Sequence, residues 1–222
     1  MKCAVLVFPG TSGDRDMIHA LTSCGFTVES RRHDAETLDG FDLIVLPGGF
    51  SYGDYLGAGR IAAATPIAAL LKQAAAAGTL ILGIGNGFQI LTEMDLLPGG
   101  FLQNESGKFV CEHAEMIVTN NQTTFTTAYA ANERITLPIA HESGNFWADE
   151  EMLQKLKTGN QIVFTYADNP NGSVENIAGM VSESGNVLGM MGHPERALEC
   201  LLGGADGGGL FASILNAGRE AV

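Results

Sequence analysis

One strand-to-helix junction constrains the fold of this chain more than any other stretch. The apolar run 80–84 passes through Gly83-Ile84-Gly85-Asn86-Gly87 and continues at once into an amphipathic pattern. This is the pattern of a nucleophile elbow, a sharp turn that raises one side chain above a sheet. The middle position, where a reactive Cys or Ser is expected, holds Gly85. The sequence therefore predicts the scaffold of a nucleophilic site without its nucleophile.

Other apolar runs predict the sheet that would carry this elbow. Residues 3–8 are continuously apolar, and 41–46 are apolar except for Asp42, which is typical of strands buried on both faces. Helical patterns at 14–24 and 62–77, and a short strand candidate at 26–30, lie between these runs. Alternating strands and helices favour an α/β fold with an open, mostly parallel sheet flanked by helices.

The second half of the chain has a different pattern. After Pro98-Gly99-Gly100 the segments become shorter and β-branched, which predicts an antiparallel or mixed extension of the sheet. A closing helix is expected over 209–219. No repeat or linker divides the chain, so residues 1–222 are expected to form a single domain. The predicted strands of this half are 109–118, 123–127, 135–139, 162–166, 177–181 and 187–191.

The acidic composition limits the classes of partner. A formal charge of -13 repels phosphate backbones and anionic lipid, so neither nucleic acid nor a membrane is an expected partner. No apolar run approaches the ~18 residues of a membrane span. The scattered cysteines show no CxxC pair and are expected to be reduced, mostly buried thiols in a cytoplasmic protein.

Three turns at predicted strand ends indicate where chemistry would occur. Backbone N–H groups of Gly49 and Asn86 are candidate donors to an oxyanion. His193 and Glu195 follow the last strand, and an imidazole oriented by a carboxylate is the usual base for activating a thiol. Each turn has a simpler interpretation, namely a tight turn or a surface histidine. A dinucleotide loop at the elbow lacks its third glycine, because Phe88 stands there.

Taken together, these motifs resemble those of a known family. Pro47-Gly48-Gly49 after a strand, the elbow followed by Gln89, and His193-Pro194-Glu195 resemble the class I glutamine amidotransferases. The closer similarity is to the small glutaminase subunits of phosphoribosylformylglycinamidine synthases, in the stretches 8–10, 14–16, 46–56, 87–93, 104–106, 108–109, 138–141, 171–173, 177–179 and 185–191. The resemblance implies a flavodoxin-like fold for the domain.

The resemblance also implies roles and partners. Residue 85 would be the nucleophile position, His193 the base, Glu195 its orienting group, and Gly49 with Asn86 the oxyanion donors. Glutamine would be hydrolysed to glutamate and ammonia for a synthetase subunit, with a small accessory subunit as a further partner. ATP and Mg belong to that synthetase, and no cofactor or metal is expected in this chain. The residues expected near glutamine are Phe50, Gln89, Asn104 and Phe109.

Departures from the family pattern leave several hypotheses open. Related chains carry Cys at position 85, and they often carry Arg where Gly57, Gln103 and Glu112 stand. A lone Gly85 fits a single inactivating change in an amidotransferase subunit. Lost arginines favour a natural pseudo-glutaminase that serves as a structural or regulatory partner. Hydrolysis of a different amide is a third hypothesis, for which no replacement nucleophile is evident.

Overall fold

The computed structural model describes residues 1–220. Within these residues, eleven strands and six α-helices follow one another, joined by turns and loops. The strands are β1 (Lys2–Val7), β2 (Thr27–Arg32), β3 (Leu43–Leu46), β4 (Leu80–Ile84), β5 (Gly100–Leu102), β6 (Val110–Val118), β7 (Arg134–His141), β8 (Asn145–Trp147), β9 (Ile162–Tyr166), β10 (Ile177–Val181) and β11 (Val187–Met190). The helices are α1 (Asp14–Ser23), α2 (Arg60–Ala63), α3 (Ile67–Ala76), α4 (Asn86–Glu93), α5 (Glu150–Thr158) and α6 (Gly208–Glu220).

Nine of the strands form one sheet in the order β2-β1-β3-β4-β11-β10-β9-β6-β7. Neighbours from β2 to β11 run parallel, and those from β11 to β7 run antiparallel. β5 and β8 pair in a separate two-stranded sheet. The prediction of an α/β fold with a parallel sheet and an antiparallel extension is confirmed.

Burial follows the continuous apolar runs of the central strands. Every residue of β3 is buried, as are the middle four residues of β1. Strands with no polar face need cover on both sides, which the flanking helices provide. Within residues 1–220, no helix combines the length and apolar character needed to cross a bilayer.

Two segment predictions are wrong, and one helix was not expected. The predicted helix 62–77 is divided into α2 and α3, because Pro66 has no N–H to donate and disfavours helical backbone at Thr65. Residues 123–127 form turns instead of a strand, held by the hydroxyls of Thr123 and Thr126 at 2.7 Å. Helix α5 was not predicted from the sequence. It is capped by Asp149, whose side chain accepts a hydrogen bond from the N–H of Met152.

Candidate active site

The candidate site lies at the carboxyl ends of three neighbouring strands. β3, β4 and β11 are adjacent and parallel, so the turns that follow them meet at one edge of the sheet. Gly49 follows β3, Gly85 follows β4 and His193 follows β11. All three residues line one cavity of about 520 Å³. The fold therefore brings together segments that are far apart in sequence.

The elbow itself depends on glycine. Gly85 has φ 53° and ψ -109°, a left-handed conformation in which a side chain is strained. Its N–H donates to the carbonyl of Met190 at 2.8 Å, which fixes the turn against β11. The flanking glycines are required by close packing. A Cβ at Gly83 would lie 2.7 Å from the backbone of Gly87, and a Cβ at Gly87 would collide with the carbonyl of Leu46.

A side chain at position 85 would face an imidazole. A Cβ built on Gly85 would lie 3.4 Å from Cε1 and 3.5 Å from Nε2 of His193. The same ring packs over Gly48, where an added Cβ would come within 2.7 Å of Cε1. A side chain at position 85 would therefore lie directly beside the ring of His193.

A buried carboxylate orients the imidazole. Nδ1 of His193 lies 2.7 Å from Oε1 of Glu195, and the two residues are 3% and 6% exposed. Because a carboxylate oxygen only accepts, Nδ1 is the donor, and Nε2 lies on the side of the ring that faces Gly85. The N–H of His193 donates to the carbonyl of Pro138 at 2.9 Å, which anchors the segment to β7.

The two residues expected to supply oxyanion donors lie beside the elbow. Asn86 is the first residue of α4, so its N–H has no intrahelical partner. Gly49 lies opposite Thr11 in an isolated antiparallel bridge whose hydrogen bonds are made by the neighbouring residues. The N–H of Gly49 donates to no group within residues 1–220. Gly49 has no room for a side chain, because its φ is 145° and an added Cβ would lie 2.6 Å from the backbone N of Ser12. Both amides are available to a developing negative charge.

A hydrogen-bond network fixes the side chains of Asn86 and Gln89. Asn86 Oδ1 accepts from the N–H of Ser51 at 3.0 Å, and its Nδ2 donates to Gln89 Oε1 at 3.0 Å. Gln89 Nε2 donates to the carbonyl of Ser143 at 2.7 Å. Asn86 Nδ2 also donates to Asp54 Oδ1 at 3.2 Å, and burial raises the pKa of the Asp54 carboxyl. The network connects the loops after β3 and β7 through α4.

Two aromatic rings form an apolar part of the cavity wall. Phe50 and Phe109 both line the cavity, and their ring centroids are 6.3 Å apart. They are 45% and 48% exposed, which is unusual for large apolar side chains. The methylene groups of an extended ligand would find apolar contact here. Of the residues predicted for the site, all except Glu195 and Asn104 line the cavity.

Asn104 lies outside the cavity lining and has a different environment from the one expected. Its Nδ2 donates to the carbonyls of Lys108 and His141 at 2.8 and 2.9 Å. Its Oδ1 accepts from the N–H of Gly144 at 2.9 Å. Because both ends of this buried amide are bonded to protein groups, Asn104 holds two loops together and does not face the ligand space.

His141 is a second cavity imidazole that the sequence patterns did not assign to the site. Its Nδ1 lies 3.1 Å from Asn104 Oδ1, and its Nε2 lies 3.4 Å from Asn171 Nδ2. The acceptor Asn104 Oδ1 requires a proton on Nδ1, and the donor Asn171 Nδ2 requires a lone pair on Nε2. Only the neutral ring meets both requirements. Burial lowers the pKa of His141 to about 4. The sequence signals were the stretch 138–141 of the family resemblance and the polar run 141–144 directly after an apolar strand.

Several departures from the family pattern meet in this cavity. Gly57 and Gln103, where the resemblance implies Arg, both line it. Glu142 lines it too, and its Oε1 lies 3.4 Å from Gln103 Nε2. Among the lining residues of the described chain, Arg196 is the one Lys or Arg side chain. The cavity is therefore less cationic than the resemblance implies.

No cysteine within residues 1–220 supplies a thiol to the cavity. Cys3 is buried in β1, and burial raises the pKa of its thiol to about 12. Cys24 is half-buried, whereas Cys111 and Cys200 are exposed, so the expectation of mostly buried thiols is wrong for these two. All four are free thiols, and none lines the cavity.

Comparison with known proteins places this geometry in a family. A sequence profile of the CobB/CobQ-like glutamine amidotransferase domain matches residues 1–202. A chain in the structure of PurLQS from Thermotoga maritima is 49% identical, with a TM-score of 0.91; the match covers 97% of this chain and 98% of that one.

Two more distant structures share the fold. A GMP synthase subunit from Thermoplasma acidophilum is 17% identical with a TM-score of 0.62, over 100% of this chain and 97% of that one. A glutamine amidotransferase from Thermotoga maritima is 14% identical with a TM-score of 0.62, over 100% and 83%. With the family profile matched over residues 1–202 and an amidotransferase-type elbow facing His193, the chain belongs to the CobB/CobQ-like glutamine amidotransferase family.

Proposed function

We propose that this chain is the glutamine-binding subunit of a phosphoribosylformylglycinamidine synthase complex in the cytoplasm, and that Gly85 makes it deficient in glutamine hydrolysis. The proposal of a complex is supported by 49% identity with a chain of PurLQS. The partners would be a synthetase subunit, which would hold ATP and Mg, and a small accessory subunit.

The cavity lining supports the proposed binding of glutamine. The carboxamide of the ligand would lie between His193 and Gly85, with its oxygen towards the amides of Gly49 and Asn86. The aliphatic part would contact the rings of Phe50 and Phe109. In a chain with Cys at position 85, His193 would take the thiol proton, and Glu195 would hold the ring in the correct tautomer. In this chain no covalent bond to the enzyme can form there.

The observation that carries the proposed deficiency is the position of Gly85 opposite His193. Removing a covalent nucleophile has lowered turnover by about 10⁶ in a serine protease, and a loss of that order is expected here. A glutaminase assay on the purified chain tests it. Turnover comparable with that of a Cys-bearing amidotransferase would contradict the proposal.

Gly85→Cys is the matched test of the remaining site. If only the nucleophile is missing, the variant hydrolyses glutamine, and the double variant that combines Gly85→Cys with His193→Gln is inactive again. A folded Gly85→Cys variant that binds glutamine and stays inactive would contradict the hypothesis of a single inactivating change.

The second candidate function is that of a pseudo-glutaminase, and the composition of the cavity lining supports it. Gly57 and Gln103 lack the positive charge that the resemblance implies, and Glu142 places a carboxylate in the same lining. In that case the chain would stabilise or regulate the synthetase without hydrolysis. Calorimetric titration with glutamine separates the two candidates, because an abandoned pocket gives no binding heat. A second, Cys-bearing copy in the same genome would favour the pseudo-glutaminase.

A further inference from the structure

We infer that the space between Gly85 and His193 is a site for a small external thiol, which replaces the missing side chain and makes cleavage of bound glutamine dependent on that thiol. The inference rests on the proposed glutamine site and adds a co-reactant to it. Hydrogen sulfide and methanethiol are the thiols whose size fits the space that a cysteine side chain would occupy.

The dimensions of the space permit such a ligand. The atoms nearest to a Cβ built on Gly85 are Cε1 of His193 at 3.4 Å, Nε2 of His193 at 3.5 Å and Cα of Gly48 at 3.8 Å. These are ordinary van der Waals distances, so a group of methyl size is accepted without displacement of backbone. Gly85 and His193 both line the cavity, so the space is open to small molecules that enter it.

The surrounding groups suit a thiol that reacts. Nδ1 of His193 donates to Glu195 Oε1 at 2.7 Å, so in the neutral form of the ring Nε2 is the nitrogen that accepts. The S–H group of a small thiol can donate to Nε2 and lose its proton there. The free N–H groups of Gly49 and Asn86 lie on the turns beside it. No cysteine of the described chain lines the cavity, so the sulfur has to come from outside.

The reaction balances without an oxidant or a reductant. The sulfur of hydrogen sulfide forms a bond to the carboxamide carbon of glutamine while its proton moves to Nε2 of His193. The tetrahedral adduct places its negative oxygen near the amides of Gly49 and Asn86. His193 then gives the proton to the nitrogen, the C–N bond breaks, and ammonia leaves. The products are ammonia and the γ-thioacid of glutamate.

The test is thiol-dependent ammonia release by the full chain. The protein is incubated with L-glutamine and increasing sodium hydrosulfide without oxygen, and ammonia and the γ-thioacid are measured by enzymatic assay and mass spectrometry. The expected rate rises linearly with thiol and exceeds that of Gly85→Ala at least tenfold, because the alanine methyl fills the space. 2-Methyl-2-propanethiol has the same reactive group but is too large, and it is expected to have no effect.

Two further measurements keep the outcomes distinct. His193→Gln keeps Gly85 and the space but removes the base, so its thiol-dependent rate is expected to fall at least tenfold even if Gly85→Ala does not fold. Equal rates in the natural protein, in His193→Gln and in buffer would overturn the inference. If calorimetry still shows glutamine binding in that case, the proposed function stands and only the thiol site is rejected. If glutamine does not bind, both are rejected.

Discussion

Gly85 combines two physical effects at one residue, since it lacks a nucleophile and also fits a left-handed turn. Its φ of 53° strains any other side chain, although a Cβ would meet His193 only at 3.4 Å, an ordinary contact. Gly85→Ala is therefore expected to lower the free energy of unfolding by about 1–3 kcal/mol through backbone strain. Urea denaturation followed by circular dichroism measures the change.

Gly100 offers a matched control for this substitution. A Cβ at Gly100 would have open space around it, and its φ lies outside the left-handed region. Gly100→Ala is expected to change the unfolding free energy by no more than about 0.5 kcal/mol. Equal losses in the two variants would show that backbone strain at Gly85 is not the cause.

His141 gives the protein a pH-dependent stability. Its pKa is lowered to about 4 by burial, whereas an unfolded chain protonates histidine near its ordinary value of about 6.5. Between these two pH values the unfolded state binds more protons than the folded state. The contribution of neutral His141 to the free energy of unfolding is therefore complete above pH ~6.5 and is lost as the pH falls towards about 4. Over this pH range the free energy of unfolding is expected to fall by on the order of 3 kcal/mol.

Comparison with His141→Gln tests this dependence. The variant has no titrating group at the position, so its unfolding free energy is expected to change less between pH 7 and pH 4.5 than that of the natural protein. His19→Gln serves as the control, because the His19 side chain is 68% exposed. The same pH response in all three proteins would contradict the assignment to His141.

At the scale of a single helix, α5 depends on its first turn. Asp149 Oδ1 accepts from the N–H of Met152 at 2.8 Å, which satisfies one of the donors that an α-helix leaves free at its start. Asp149→Ala is expected to lower the unfolding free energy by about 1 kcal/mol, measured by urea denaturation. Asp149→Asn keeps an acceptor oxygen and is expected to lose only a fraction of that. No loss in either variant would contradict the capping role.

The elements that the sequence predicted well are those whose pattern is local. Continuous apolar runs located β1, β3 and β4, because burial on both faces leaves no polar position. The break at Pro66 was missed because the alanine-rich pattern continues on both sides of it. Residues 123–127 contain β-branched threonines typical of a strand, but their hydroxyls bond to nearby backbone and form turns instead.

At the scale of the whole molecule, the sequence located the three turns of the site but not the contacts that hold it. The turns were predictable because parallel strands end at one edge of a sheet. The bond from Gln89 to the carbonyl of Ser143, and the roles of Asn104 and His141, depend on how the loops after β5 and β7 meet. Such contacts depend on three-dimensional packing and leave no periodic signal in the chain.

The same whole-molecule view gives the last prediction, which concerns the proposed complex. If the chain docks on a synthetase but cannot release ammonia, the assembled complex should form product from added ammonium salt at the rate of a Cys-bearing complex. With glutamine as the nitrogen source, the rate should fall by about 10⁶, since only the covalent step is missing. Gly85→Cys in the same complex should restore glutamine-dependent synthesis and leave the ammonium-dependent rate unchanged. Steady-state assays with each nitrogen source measure both rates, and glutamine-dependent synthesis by the natural protein at the ammonium rate would refute the proposed deficiency.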